Sequence, residues 1–136
     1  MSEIILLDTH IWFWFINQEF ERFPNAWCDL IETATQVHIS PISCYEIALA
    51  QQKGRLNLPC PLAQWLSEAL EPSDISLLPL TATVASRAIA LSPIHKDPFD
   101  RLIIATALTY QAQLASVDSV FPKYPELEGV LLPQKE

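Results

Sequence analysis

Glycine is nearly absent from this chain: of 136 residues only Gly54 and Gly129 lack a side chain. There is no repeat, low-complexity tract or long linker, so the chain reads as ordered and globular, long enough for one domain over residues 1–136 with a sizeable core. Long apolar runs are missing too. None reaches the roughly 18–20 residues needed to span a bilayer. The opening "MSEIILLDTH" has no basic segment before its apolar residues, which argues against a signal peptide. Cysteine is sparse: Cys28, Cys44 and Cys60 are an odd set without metal-binding spacing, as in a reduced cytoplasmic protein with ordinary core thiols. Bases are scarce, 8 Lys and Arg against 16 Asp and Glu, for a net charge of −8. That balance excludes a broad basic surface for gripping duplex nucleic acid. It leaves room for a metal-bridged phosphate contact or for a partner that brings the positive charge.

What is present is a regular alternation of elements. "IILL" at 4–7 is a short apolar run suited to a strand buried on both faces, and it ends at Asp8. A helix starts in "THIWFWFIN", another covers 26–34, and "VHI" at 37–39 is a short strand. "SCYEIALAQQKG" predicts a helix closed by Gly54. Next come a helix around 61–70, a strand in "ISLLPL", helices at 81–91 and 98–111, and a strand in "QLASVD". "GVLL" near the C-terminus is a candidate edge strand. Loops are expected at the proline-marked 57–61, 71–73, 92–98 and 122–125. Alternating strands and helices imply an α/β fold with a mostly parallel sheet, whose ligands gather beyond the carboxyl ends of its strands. Asp8 and Asp118 stand at two such ends.

The motif "HKDPFDR" at 95–101 concentrates charge at the start of an apolar helix. Each acid there has a plain structural use. Asp97 before Pro98 fits an N-cap with proline at the first helical position. Asp100 then stands in the first turn, where an acid meets the helix dipole. Ser43 and Glu46 match a capping box, and Asp8 and Asp118 are each placed to cap the element after them. The helical neighbours add something that capping does not require. Glu46 shares a face with Ile42, Leu49 and Ala50, and Asp100 with Ile103, Ile104 and Ala107. Carboxylates on an apolar face lose solvation and need a partner. Lys53, Lys96 and Arg101 are the few bases nearby in sequence, whereas converging acids are reconciled by a cation. Oxygen donors without a histidine or cysteine cluster suit Mg²⁺ or Mn²⁺ better than zinc. His10 and His95 read as local hydrogen-bonding groups.

These residues carry a resemblance. "LLDTH" at 6–10, "SCYEIALAQQKGRL" at 43–56, "HKDPFDRLIIATA" at 95–107 and "LASVD" at 114–118 resemble, in order and spacing, the PIN-domain family. More narrowly they resemble the VapC-type ribonuclease toxins of toxin–antitoxin pairs. The resemblance implies a three-layer α/β fold with four acids, Asp8, Glu46, Asp100 and Asp118, holding Mg²⁺ or Mn²⁺ at one end of the sheet. Asp97 falls on an accessory position, and Thr9 matches the hydroxyl residue after the first acid. Ser116 stands where many relatives have threonine, and it keeps the hydroxyl. The implied reaction is hydrolysis of RNA phosphodiesters, with tRNA or rRNA as candidate substrates. Carboxylate-held ions lower the pKa of water and clamp phosphate. Asp8, Asp100 and Asp118 are expected as metal ligands, with Glu46 a ligand or an orienter of water. Lys96 or Arg101 is a candidate for steadying the phosphate or for pairing with an acid.

The run "IWFWF" at 11–15 covers every side of a helical turn, so one aromatic should face outward. It is either core or a groove for a cognate antitoxin or a second copy of the chain, with Trp12 and Trp14 as the contact residues. A non-catalytic PIN-fold module that binds RNA or protein is the competing reading. A receiver-type phosphotransfer domain would need two adjacent acids after the first strand, and a related phosphatase would need D-x-D. "LLDTH" has neither.

Overall fold

A computed structural model describes residues 4–94 and 96–134, so His95 lies outside the described residues. The four strands are β1 (Ile4–Leu7), β2 (Gln36–Ile39), β3 (Ile75–Leu77) and β4 (Gln113–Ala115). They pair in the order β3-β2-β1-β4, all parallel. The helices are α1 (Thr9–Ile16), α2 (Ala26–Thr33), α3 (Pro41–Gln52), α4 (Leu62–Glu68), α5 (Ala82–Ala90) and α6 (Pro98–Tyr110). Among the described residues no helix is long and apolar enough to cross a membrane.

Strand period sorts the core into layers. Ile5 and Leu7 of β1 face a cluster with Ile11 and Trp12 of α1, Trp27 of α2, Ile47 of α3 and Trp65 of α4. Leu6, between them in sequence, joins Leu114, Ile103, Ile104 and Phe121 on the other face. α5 packs outside α6 through Ala88 and Ala105. The expected three-layer α/β architecture with a parallel sheet is the one observed. The chain runs outward through β1, β2 and β3, then returns to place β4 on the free side of β1. The topological switch point therefore lies between β1 and β4.

Several expectations are corrected in detail. α3 begins at Pro41, with Ser40 as N-cap accepting from the Ile42 N–H at 3.1 Å. Proline at the first helical position drew the start back, so Ser43 lies inside the helix and the capping box is not formed. The strand in "ISLLPL" stops at Leu77, since Pro79 has no N–H to extend the ladder. "QLASVD" is strand only through Ala115, which frees Ser116 and Asp118 for other bonds. "GVLL" contributes a single bridge, Leu131 to Leu114, rather than a strand.

Trp12 is also corrected. It is fully buried, its indole N–H donates to the Ala69 carbonyl at 3.0 Å, and its ring meets Trp65 edge-on at 5.0 Å. A side chain enclosed by its own chain is not a partner contact. Trp14 stays half-buried, with the Arg22 guanidinium carbon 5.6 Å from its ring centre and the His10 ring at 5.5 Å. Trp12→Ala should cost about 3–5 kcal/mol of folding stability, and Trp14→Ala much less. Urea denaturation of the two variants measures the difference.

Candidate active site

The switch point is built from backbone first. The Asp8 N–H donates to the Ala115 carbonyl at 2.9 Å, which locks the end of β1 to the end of β4. Asp8 is N-cap of α1, and its Oδ1 accepts from the Thr9 N–H at 2.9 Å. Its Oδ2 accepts from the Ser116 hydroxyl at 2.8 Å. Ser116 in turn accepts from the Asp118 N–H at 3.1 Å, so one buried hydroxyl clasps both acidic positions. The clasp needs only a hydroxyl, which Ser116 supplies as donor to Asp8 and acceptor from Asp118. Asp118 turns the chain by accepting from the Val120 N–H at 2.8 Å.

A second chain of bonds reaches Glu46. The Thr9 hydroxyl donates to Glu46 Oε1 at 2.6 Å and lies 2.8 Å from the Ser43 hydroxyl. With Thr9's only hydroxyl proton on Glu46, Ser43 is the donor to Thr9. Ser43 is fully buried, and the sequence reading missed its place in the site. Its spacing of three from Glu46 was the available signal, since such residues share a helix face. Thr9, Ser43 and Ser116 thus position the acids.

The acids feel one another. Burial, then the charge of Asp8, and then those of Asp97, Asp118 and Glu46 push Asp100 up to about 7. Burial is also the main cause that raises Asp8 and Glu46 above the ordinary carboxylate range, against the hydrogen bonds that lower them. Asp97 is exposed, and its Oδ1 accepts from the Phe99 N–H at 2.9 Å. It caps α6 as expected from sequence while adding its field to Asp100 and Glu46. Among the described residues no three acidic, thiol or imidazole groups are already set as a cation shell.

The expectation for Arg101 is corrected. Its guanidinium donates to the carbonyls of Ser92 at 2.9 Å and Leu91 at 3.0 Å, and a third contact reaches the Ile89 carbonyl at 3.4 Å. One step along a helix turns the side chain by about 100°, so Arg101 leaves the direction taken by Asp100. It ties α6 to the end of α5. Lys96 is exposed beside Asp97. A cleft of about 360 Å³ opens beside Thr9 and Glu46, bordered by α3 and the start of α6.

Acids from four parts of the chain, gathered at the switch point of a parallel sheet, define a nuclease-like α/β protein. A family model described as PIN domain matches residues 5–127, and the chain belongs to that family. It is 34% identical over 115 residues to Ribonuclease VapC22 of Mycobacterium tuberculosis, covering 84% of this chain and 86% of that one. In fold it is similar to VapBC2 of Rickettsia felis, solved on a DNA fragment from its promoter. That match has a TM-score of 0.69 and 21% identity over 95% of this chain and 97% of that one. A toxin–antitoxin complex from Klebsiella pneumoniae matches with a TM-score of 0.62 and 21% identity, over 97% and 98% of the two chains.

The raised Asp100 has a consequence for stability. Its pKa moves from 3.8 toward about 7 on folding, so between those values the folded state binds more protons than the unfolded one. Stability contributed by this group is present at the acid end of the window and is lost as pH rises through it. In EDTA the protein should melt higher at pH 5 than at pH 8. Asp100→Asn should flatten that dependence and melt at or above wild type at pH 8. Thermal melts at both pH values check this, and a variant weaker at both would make Asp100 a helix-capping acid only.

Proposed function

We infer that this protein is a metal-dependent endoribonuclease, the toxin of a toxin–antitoxin pair, built as one PIN-like domain over residues 1–136. The observation that carries this reading is the field at Asp100, raised by burial and by Asp8, Asp97, Asp118 and Glu46 together. Carboxylates so arranged act on a phosphodiester through a cation. The donor set fits a hard one: all oxygen, with several like charges to be neutralised. Mg²⁺ and Mn²⁺ keep several waters and take one or two carboxylates, so the open arrangement of the acids suits them. When bound, such an ion lowers the pKa of its water and offsets charge on the phosphate.

Asp8, Asp100 and Asp118 are the residues to hold the ion. Glu46, kept in place by the Thr9 hydroxyl, is a further ligand or the group that orients the attacking water. Ser116 sets the spacing of Asp8 and Asp118 through its two bonds. The relative named a ribonuclease supports RNA as the substrate, and tRNA or rRNA is the class we propose. The similar toxin–antitoxin complex supports an antitoxin partner. The net charge of −8 suits a basic segment of such a partner, and Trp14 on α1 is its candidate contact. A homodimer in the cytoplasm completes the proposal.

The protein purified with Mn²⁺ should cleave RNA, and EDTA should abolish the cleavage. Full activity after metal removal would remove the mechanism. Asp8→Asn and Asp118→Asn should each lower the rate by orders of magnitude while circular dichroism reports a folded protein. RNA binding without cleavage by the Mn²⁺-loaded wild type would favour a non-catalytic module.

A further inference from the structure

The cleft beside Glu46 is built differently from the acidic centre next to it. Its lining joins the acids Glu46 and Asp97 to the bases Lys53 and Arg55, with Phe99 among them. Lys53 is the C-cap of α3, about 10 Å along the axis from Glu46, and both border the cleft. Past the helix end the chain is fixed as well. The Gly54 N–H donates to the Gln51 carbonyl at 3.1 Å, and the Arg55 N–H to the Ala50 carbonyl at 2.8 Å. This paired closure needs a left-handed residue at Gly54, whose φ is 72°. The turn brings Arg55 back to the cleft that Lys53 borders. Both side chains are exposed, and among the described residues neither forms an ion pair. The dipole of α3 accounts for a base at Lys53 but not for Arg55, which lies beyond the helix.

Phe99 does not stand alone. Its ring lies 5.3 Å from that of Tyr45, and Tyr45 is 56% exposed beside Glu46 on α3. An exposed aromatic next to catalytic acids, with two cations further along, matches how single-stranded nucleic acid is held. Nucleobases stack on rings, and phosphates meet basic side chains. In a chain with only 8 Lys and Arg, two of them border this cleft, where they balance the two acids of its lining, Glu46 and Asp97.

We propose that this cleft seats the nucleotide next to the scissile phosphate, with Lys53 and Arg55 on its phosphate and its base on the rings of Phe99, in the cleft wall, and of the exposed Tyr45 just outside it. The proposal rests on the ribonuclease reading and adds where the strand lies and what grips it. It makes the substrate unstacked at the site of cleavage, since a base enclosed within a duplex has no free face for a ring.

Binding measured apart from cleavage tests it, so the two readings fail separately. A labelled single-stranded oligoribonucleotide is titrated with the full chain in EDTA, by fluorescence anisotropy at several salt concentrations. Lys53→Gln with Arg55→Gln should raise Kd several-fold and reduce the slope of log K against log salt by roughly 1.4, about 0.7 for each lost phosphate contact. Arg87→Gln on α5 is the control and should leave the slope alone; an equal fall there overturns the proposal as a general charge effect. Tyr45→Ala should weaken binding roughly five- to a hundredfold, the scale of one stacked base, and Tyr45→Phe should restore it. Wild-type affinity and salt slope in the double variant overturn the proposal, whether or not the protein cleaves RNA. So does loss of affinity for a basic helical peptide with RNA binding intact, which would make the cleft a protein site.

Discussion

The loss of solvent around neighbouring carboxylates, together with their mutual repulsion, is the constraint around which the rest is arranged: Asp8 is buried, and Glu46, Asp100 and Asp118 are partly buried. Asp8 is only 9% exposed and lies in the field that lifts Asp100, so the fold holds like charges where water cannot fully screen them. Every surrounding bond resists their drift apart. The clasp of Ser116, the Thr9–Glu46 bond and the capped start of α6 each fix one acid relative to the backbone. A fold optimised for stability alone would place apolar side chains here. The proposed metal-dependent cleavage is the reason to keep the charges.

The layering was legible in the chain because its periods are strong. "IILL" has no polar interruption and becomes the inner strand, while the spacing of Ile103, Ile104 and Ala107 puts one face of α6 on the sheet. Asp8 was legible for the same reason, since it directly follows the last residue of β1, whereas Asp118 stands three residues past the end of β4 and is held there by the Ser116 hydroxyl. Asp97 announced itself through the proline after it, and its cap is formed.

What was not legible depended on contacts across the sequence. Trp12 and Trp14 differ by two positions, and nothing local says that one meets Trp65 and Ala69 while the other stays at the surface. Arg101 follows Asp100 directly, yet it belongs to the packing of α5 because its carbonyl partners come from a loop nine or more residues away. Ser43 was concealed by its own plausibility: its spacing to Glu46 fits a helix start as well as it fits a relay, and Pro41 decided between them. The cleft could not be read from "KGR" alone, since only the turn at Gly54 brings both bases to one side.

The pairing of β4 with β1 has a consequence in time. Leu7 lies against Ala115, so the first strand waits for nearly the whole chain before its last neighbour exists. A ribosome adding about 5–20 residues each second needs several seconds to some tens of seconds for that interval. Through it Asp8 has neither the Ala115 carbonyl nor the Ser116 hydroxyl, and Asp118 has not been made. The acidic centre is therefore absent from the nascent chain until the segment from Ala115 to Asp118 has been made and has reached the end of β1.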